Sequence, residues 1–182
     1  NFCAKLGVER LPEYEPFAYA AIRQANGILF DKPEVPFYNI EHSDYLLTLG
    51  SDILETFVSP VSYTQQYGKA LNKIPFTWTH LEPHVSLTGF NADERLVINP
   101  GSEPYILLYL LKHIAPEEIV NVLPTITDSD ITQNTGLSIE PLNHILTRLK
   151  KSKNPLIISG GVSTAHNMAW ETAVLTGLVQ WY

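Results

Sequence analysis

The order of apolar and polar positions along the chain predicts strands that alternate with helices. Residues 45–50 form a continuous apolar run, which is typical of a parallel strand buried on both faces. Residues 75–81 alternate and are rich in β-forming side chains, and two further strands are expected at residues 94–100 and 154–161. Apolar residues at helical spacing predict helices at residues 15–30, 60–71, 102–114, 116–123 and 163–177, with two more between residues 128 and 152.

This alternation predicts an α/β fold: a three-layer sandwich with a mainly parallel, Rossmann-like sheet and helices on both faces. No repeat, low-complexity segment or domain boundary is visible, so residues 1–182 are expected to form a single domain. The chain starts at Asn1, and residues 1–7 are expected to be the last turn of a helix that ends at Gly7. We therefore expect a fragment of a larger subunit.

Serine residues stand before three of the predicted helices. Ser59, Ser102 and Ser138 are each expected to act as an N-cap, since a serine hydroxyl can accept a hydrogen bond from the first helical turn. Pro60 and Pro104 then lie in the first turn, where a missing N–H group is tolerated. These signals predict where three helices begin.

The composition of the chain indicates a globular domain and argues against some classes of partner. Hydrophobic residues make up 45% of the chain and charged residues 17%, which is typical of a globular domain. The net charge is −7, and the only short basic run, residues 149–153, is explained by a solvated helix end. Nucleic acid is therefore not expected as a partner. No apolar run approaches the roughly 20 residues that a membrane span requires.

A single cysteine, Cys3, limits the metal chemistry of the chain. It excludes an intrachain disulfide, a thiolate zinc site and an iron–sulfur cluster held by this chain alone. His80 and His84 are four residues apart, but Pro83 between them prevents a shared helix face, so a zinc pair is not expected. Asp93 and Glu94 are adjacent and would point to opposite faces of a strand.

The loops after the predicted strands are the candidate binding site, because ligands of parallel α/β sheets bind at the carboxyl ends of strands. These loops cover residues 50–56, 81–86, 99–103 and 160–167, and each combines Gly or Pro with small polar residues and an acid or His. Known catalytic patterns are missing. Gly160-Gly161 lacks the spacing of a dinucleotide fingerprint, residues 50–56 lack the lysine of a phosphate-binding loop, and no nucleophile elbow occurs.

Taken in order, these loops resemble those of molybdopterin oxidoreductases of the dimethyl sulfoxide reductase superfamily. The resemblance rests on "LLTLGSDILETFVSP", "THLEPHVSLTGFNADERLVINPGSEPYILLYLLKHI" and "ITDSDITQNTGLSIEPLNHILTRLKKSKNPLIISGG". It covers essentially the whole chain and implies the third domain of a large subunit, which in that family binds a molybdopterin guanine dinucleotide. The motifs are individually loose but specific as a series.

The resemblance implies where such a cofactor would lie. By resemblance, the turn at residues 50–52 would meet the cofactor, and the turn at residues 82–84 would lie beside the guanosine. The turn at residues 100–103 would contact the guanine end. Glu82 and Glu103 keep acceptors for ribose hydroxyls or guanine N–H groups, whereas Asp52 and His84 replace a neutral amide and an arginine. The candidate cofactor-binding residues are Gly50, Ser51, Asp52, Glu55, Glu82, Pro83, His84, Gly101, Ser102, Glu103, Gly160 and Gly161.

Two segments, "YEPFAYAAIRQAN" and "GSDILETFVSPVSY", are most similar to the molybdopterin-type subunits of alternative complex III and of the menaquinone reductase complex. Those subunits keep the fold and are understood to lack the pterin. The implied partners are the remaining domains of a parent subunit and the iron–sulfur and membrane subunits of a respiratory complex. Many members of the superfamily are exported, which points to the periplasm by resemblance alone.

Three functions are therefore open at this point: a dinucleotide-binding-type domain without pterin, a working pterin-dinucleotide domain of an oxidoreductase, and a free-standing nucleotide-binding protein. Asp52 favours the first. Two like charges ~4 Å apart repel by about 4 kcal/mol at an effective dielectric constant of 20.

We also expect exposed apolar surface near Trp170, Trp181 and Tyr182.

Overall fold

The computed structural model describes residues 2–9, 17, 19–72 and 75–182. Its centre is a four-stranded sheet in the order β3-β2-β1-β4, and all of its pairings are parallel. The strands are β1 (Tyr45–Leu49), β2 (Thr77–Glu82), β3 (Glu94–Val97) and β4 (Pro155–Ser159). The predicted α/β class and parallel sheet are confirmed.

The described residues also form helices, several of which cover the two faces of the sheet. The helices are α1 (Phe2–Leu6), α2 (Ala20–Phe30), α3 (Pro60–Ala70), α4 (Leu87–Asn91), α5 (Glu103–Ile114), α6 (Glu117–Val120), α7 (Asp128–Thr135), α8 (Ile139–Lys151) and α9 (Ala169–Trp181). Short 3-10 helices lie at Ile40–His42 and Gly161–Thr164. None of the described helices is long and apolar enough to cross a bilayer.

The core consists of two layers because successive side chains of a strand point to opposite faces. Leu47, Leu49 and Ile157 pack in one layer against α5, α7, α8 and α9. Leu46 and Ile158 pack in the other layer against α2, α3 and Trp78. Each of these five strand residues is buried, as the continuous apolar runs predict.

The ends of several elements differ from the prediction. The segment expected to be helical from residue 163 forms the 3-10 helix Gly161–Thr164, and α9 begins only at Ala169 and extends to Trp181. The ring nitrogen Nδ1 of His166 accepts a hydrogen bond from the backbone N–H of Met168, which interrupts the helical ladder. Residues 15, 16 and 18 of the helix expected at 15–30 lie outside the described residues.

The three serines occupy the predicted N-cap positions, but the expected side-chain hydrogen bonds are absent. Ser59, Ser102 and Ser138 do precede their helices, but none accepts a hydrogen bond from the first turn. The hydroxyl of Ser102 instead donates to the carbonyl of Asn99 at 2.6 Å. Side-chain caps occur at Ser86, which accepts from the N–H of Gly89, and at Thr127.

Candidate functional site

The carboxyl ends of the four strands meet at one edge of the sheet, which carries two adjoining cavities. The first cavity, about 460 Å³, is lined by the predicted residues Gly50, Asp52, Glu55, Glu82, His84 and Gly161. The second cavity, about 290 Å³, is lined by the predicted residues Pro83, Gly101 and Glu103. Val162 and Ala165 border both cavities. Nine of the twelve predicted residues therefore line this edge, whereas Ser51, Ser102 and Gly160 are buried away from it.

The chain itself narrows the crevice between the β1 and β4 loops. This is the point where the strand order reverses, at which doubly wound folds bind their ligands. Gly50 has φ 60°, and a Cβ atom there would lie 2.8 Å from the backbone nitrogen of Ser163. The hydroxyl of Ser163 donates to the carbonyl of Leu49 at 2.7 Å. The 3-10 helix after β4 thus rests directly on the β1 loop.

Asp52 ties the β1 loop to α4. Its Oδ1 accepts hydrogen bonds from the backbone N–H of Thr88 at 3.2 Å and from the Thr88 hydroxyl at 2.6 Å. The same hydroxyl oxygen accepts from the N–H of Leu54 at 3.1 Å. Asp52 was considered above only as a charge that repels phosphate. In the structure it also binds a backbone N–H group at this edge of the sheet.

Glu82 is a second internal carboxylate of this kind. Its side chain is 2% exposed, and Oε1 accepts from the N–H of Ser86 at 3.1 Å and from Nε of Arg95 at 2.5 Å. Burial alone would raise its pKa, but the hydrogen bonds from Ser86 and Arg95 outweigh burial and hold the pKa below its usual range. Glu82 is thus ionised and fully engaged by the protein.

A buried chain of hydrogen bonds fixes Glu82 from the core side. The indole N–H of Trp78 donates to Oγ1 of Thr48 at 2.8 Å, and Oγ1 lies 2.6 Å from Nδ1 of His80. Because an indole N–H can only donate, we assign the Thr48 proton to the bond with Nδ1, which leaves the imidazole proton on Nε2. Nε2 is 3.1 Å from Oε2 of Glu82. Burial lowers the pKa of His80, against the opposing effect of Glu82, so a neutral ring donates to the carboxylate.

The side chains of His84, Asp93 and Glu94, which were also singled out in the sequence, are not members of this series of side-chain hydrogen bonds. His84 is exposed, while His80 is buried, so the two histidines do not share a site. Asp93 accepts from the N–H of Trp78 at 2.8 Å, whereas Glu94 pairs with Arg148. Among the described residues, no group of three or more His, Cys, Asp or Glu is placed to hold a metal ion.

Glu103 in the second cavity has a different environment. It is 1% exposed, and its Oε2 has no hydrogen-bond partner among the described residues. The nearest ionisable group is His166, whose Nε2 is 3.5 Å away and also lacks a partner among those residues. Burial raises the pKa of Glu103. Backbone hydrogen bonds and His166 oppose this effect but do not outweigh burial, so Glu103 is less fully compensated than Glu82.

These residues do not fit a nucleotide diphosphate. A diphosphate needs free N–H groups or cations, and the N–H groups of Ser86 and Thr88 are already bound by Glu82 and Asp52. Among the described residues that line the two cavities there is no Lys or Arg. The described lining of this edge therefore carries several carboxylates and no Lys or Arg.

Thr48 and Thr88 also shape this edge, and neither was predicted from the sequence. Ser163 and His166 were predicted only as members of the candidate loop at residues 160–167, without individual roles. Thr88 belongs to α4, a five-residue helix that contains Gly89 and Asn91 and has weak helical signals. The sequence signal available was Ser86, a capping residue three positions before Gly89.

Comparison with known proteins identifies relatives of this fold. No protein-family model matches the chain. The menaquinone reductase molybdopterin-binding-like subunit of Nitratidesulfovibrio vulgaris is 24% identical over 136 residues, which covers 68% of this chain and 20% of that protein. This match confirms that the chain resembles molybdopterin-oxidoreductase-like subunits, and it agrees with the narrower resemblance to the menaquinone reductase complex.

Among solved structures, acetylene hydratase from Pelobacter acetylenicus superposes with a TM-score of 0.64 at 15% identity. The superposition covers 88% of this chain and 23% of acetylene hydratase. At this identity the match shows a shared fold. The chain spans about a fifth of the length of both proteins.

Proposed function

We propose that this chain is a dinucleotide-binding-type domain of a molybdopterin-oxidoreductase-like subunit in a respiratory electron-transfer complex, and that its strand-end cleft holds no pterin dinucleotide. Its partners are then the remaining domains of the parent subunit and the iron–sulfur and membrane subunits of that complex. In this proposal the chain by itself is not catalytic and serves as a scaffold. One observation carries this proposal: Asp52 and Glu82 occupy N–H groups that a phosphate would need.

A comparison of charge repulsion with hydrogen-bond energy supports a cleft without a pterin dinucleotide. A phosphate placed ~4 Å from Asp52 would meet a repulsion of about 4 kcal/mol at an effective dielectric constant of 20. One hydrogen bond to a charged group returns about 1.5–3 kcal/mol. The difference favours the internal carboxylate, and the close packing of Ser163 on Gly50 narrows the space at the switch point. The name of the menaquinone reductase relative, molybdopterin-binding-like, is consistent with this proposal.

The experiment that tests the proposal is cofactor analysis of the purified full-length parent subunit. The subunit is denatured, and the released molybdenum or tungsten and the oxidised pterin are quantified per polypeptide. We expect less than a tenth of an equivalent of each, with a catalytically active superfamily member purified in parallel as the positive control. One equivalent of metal and pterin would overturn the proposal.

A working pterin-dinucleotide domain is the second candidate, and it is favoured by the position of the two cavities at the carboxyl ends of the strands. It predicts stoichiometric pterin in the same analysis. A free-standing nucleotide-binding protein is the third. It predicts nucleotide binding by the chain and a gene that encodes neither a cysteine cluster motif nor further pterin-binding domains.

A further inference from the structure

The second cavity contains a buried carboxylate, Glu103, beside His166, whose Nε2 lies 3.5 Å from Oε2. Glu103 is 1% exposed, and its Oε2 has no hydrogen-bond partner among the described residues. A buried acceptor that remains unpaired costs free energy, and the cost is larger when the group is charged. The cavity of about 290 Å³ beside it provides room for a group that supplies the missing donor.

The adjoining first cavity has the same sign of charge and carries aromatic faces. Asp52 and the exposed Glu55 line it, and no described lining residue is Lys or Arg. Phe17 and Tyr19 stack with their ring centroids 5.8 Å apart, and the edge of Tyr19 meets Phe57, also at 5.8 Å. Aromatic faces next to carboxylates attract organic cations.

We infer that the two adjoining cavities bind cationic guanidinium or alkylammonium groups, with the carboxylate of Glu103 as the principal acceptor. The inference rests on the proposed function, because a cation can enter only where no nucleotide is bound. The cation would give Oε2 a charge-assisted hydrogen bond and would neutralise the buried charge. Two sources carry this chemistry: a free organic cation, or Arg and Lys side chains of a partner protein.

Arginine is the more suitable of the two side chains. Its planar guanidinium presents several donors in a fixed geometry and stacks on aromatic rings, and it is less strongly hydrated than an ammonium group. A segment with more than one arginine can place one group at Glu103 in the second cavity and another at Glu55 and the aromatic rings of the first. Linking the two groups would strengthen binding through effective concentration.

The test is isothermal titration of the 182-residue chain with a capped tetra-arginine peptide and with N-acetyl-argininamide. The matched ligand control is a capped tetra-citrulline peptide, which keeps N–H donors and shape but has no charge. We expect the arginine ligands to bind and the citrulline peptide to bind at least roughly tenfold more weakly. Tighter binding of the peptide than of the single amide indicates a partner protein, and equal affinity indicates a free organic cation.

Two substitutions locate the site. Glu103→Gln keeps the size of the side chain and removes its charge, and we expect it to weaken tetra-arginine binding by roughly tenfold or more. Glu118→Gln is the control, because Glu118 is exposed on α6 and lies far from the cavity. Glu103 is the first residue of the 12-residue helix α5, and α6 follows the other end of that helix, about 18 Å away along its axis. Thermal unfolding of both variants checks that they are folded. Glu55→Gln is the second reporter if Glu103→Gln is unfolded.

Three results would overturn the inference: no binding of the arginine ligands, equal binding of the citrulline peptide, or equal effects of Glu103→Gln and Glu118→Gln. A parallel titration with guanosine diphosphate separates this failure from failure of the proposed function. Micromolar binding of guanosine diphosphate would defeat the proposed function. Weak guanosine diphosphate binding together with no arginine binding would defeat only the cation site.

Discussion

Asp52 is a single side chain that joins the β1 loop to α4 beside the cleft. Its carboxylate completes the hydrogen bonds of Thr88, which lies 36 residues later in the chain. Asparagine at this position would keep an acceptor oxygen of the same geometry and lose the negative charge. The two contributions of Asp52, hydrogen bonding and charge, can therefore be separated by one conservative substitution.

Asp52→Asn should strengthen the binding of guanosine diphosphate to the chain, by up to about a hundredfold if most of the repulsion is removed. The gain should be larger at low salt, because screening is weakest there. Calorimetric titrations at two salt concentrations measure it. Glu55→Gln, in the same cavity but exposed, is the matched control and should change affinity less. An equal effect of both variants would contradict a specific role of Asp52.

Glu82 and Glu103 are both buried, yet their pKa values are shifted in opposite directions. The pKa of Glu82 is lowered in the folded state, so its contribution to stability is present above its unfolded pKa and is lost as the pH falls through the folded value. The pKa of Glu103 is raised, so its contribution is complete below its unfolded pKa and is lost as the pH rises through the folded value. At neutral pH, Glu82 stabilises the fold and the charge of Glu103 destabilises it.

We therefore expect Glu82→Gln to lower the free energy of unfolding at neutral pH by about 1–3 kcal/mol, through the loss of charge-assisted hydrogen bonds. Glu103→Gln should raise it. Urea unfolding between pH 4 and pH 8 should give difference curves of opposite slope for the two variants. Slopes of the same sign would show that the carboxylates do not have these opposed environments.

At the scale of the elements, β1 is the centre of the sheet. It pairs with β2 on one side and with β4 on the other, and Leu47 is fully buried in the layer beneath α5 and α8. Leu47→Ala should lower the free energy of unfolding by about 2–5 kcal/mol, because it removes buried methyl groups and leaves a cavity. Denaturant unfolding measures this loss. A loss below about 0.5 kcal/mol would be inconsistent with a core strand.

The edge strand β4 is protected by a side chain. The amide of Gln180 accepts from the N–H of Ile157 at 2.8 Å and donates to the carbonyl of Pro155 at 3.1 Å. A glutamine in α9 thus takes the place of a peptide group of a neighbouring strand. This cover limits edge-to-edge pairing on that side of the sheet.

Strands could be predicted from sequence because their signal is local. The apolar runs of β1 and β4 and the amphipathic pattern of α8 each lie within a few consecutive residues, and their burial follows directly. The packing of the 3-10 helix Gly161–Thr164 on the β1 loop could not be predicted, because it depends on a hydrogen bond between Ser163 and Leu49, which are 114 residues apart in the chain. Likewise, no local pattern shows that Asp52 binds Thr88 rather than solvent.

At the scale of the molecule, α9 presents large apolar side chains to solvent. Trp170, Trp181 and Tyr182 are 39%, 71% and 44% exposed, as expected from the sequence. We predict weak, concentration-dependent self-association, which sedimentation velocity would detect. Trp181→Ser should reduce it, whereas Val61→Ser, at an 84% exposed position of α3, is the control. A single monomeric species at high protein concentration would contradict this prediction.

We propose that the chain keeps the architecture of a dinucleotide site, with internal carboxylates in place of the ligand. Calorimetric titration of the unmodified chain with guanosine diphosphate at neutral pH is the decisive test. We expect a dissociation constant of about 1 mM or weaker, because Asp52 and Glu82 hold N–H groups that a phosphate would use. A dissociation constant of about 1 μM would identify a working nucleotide site and would rule out this proposal.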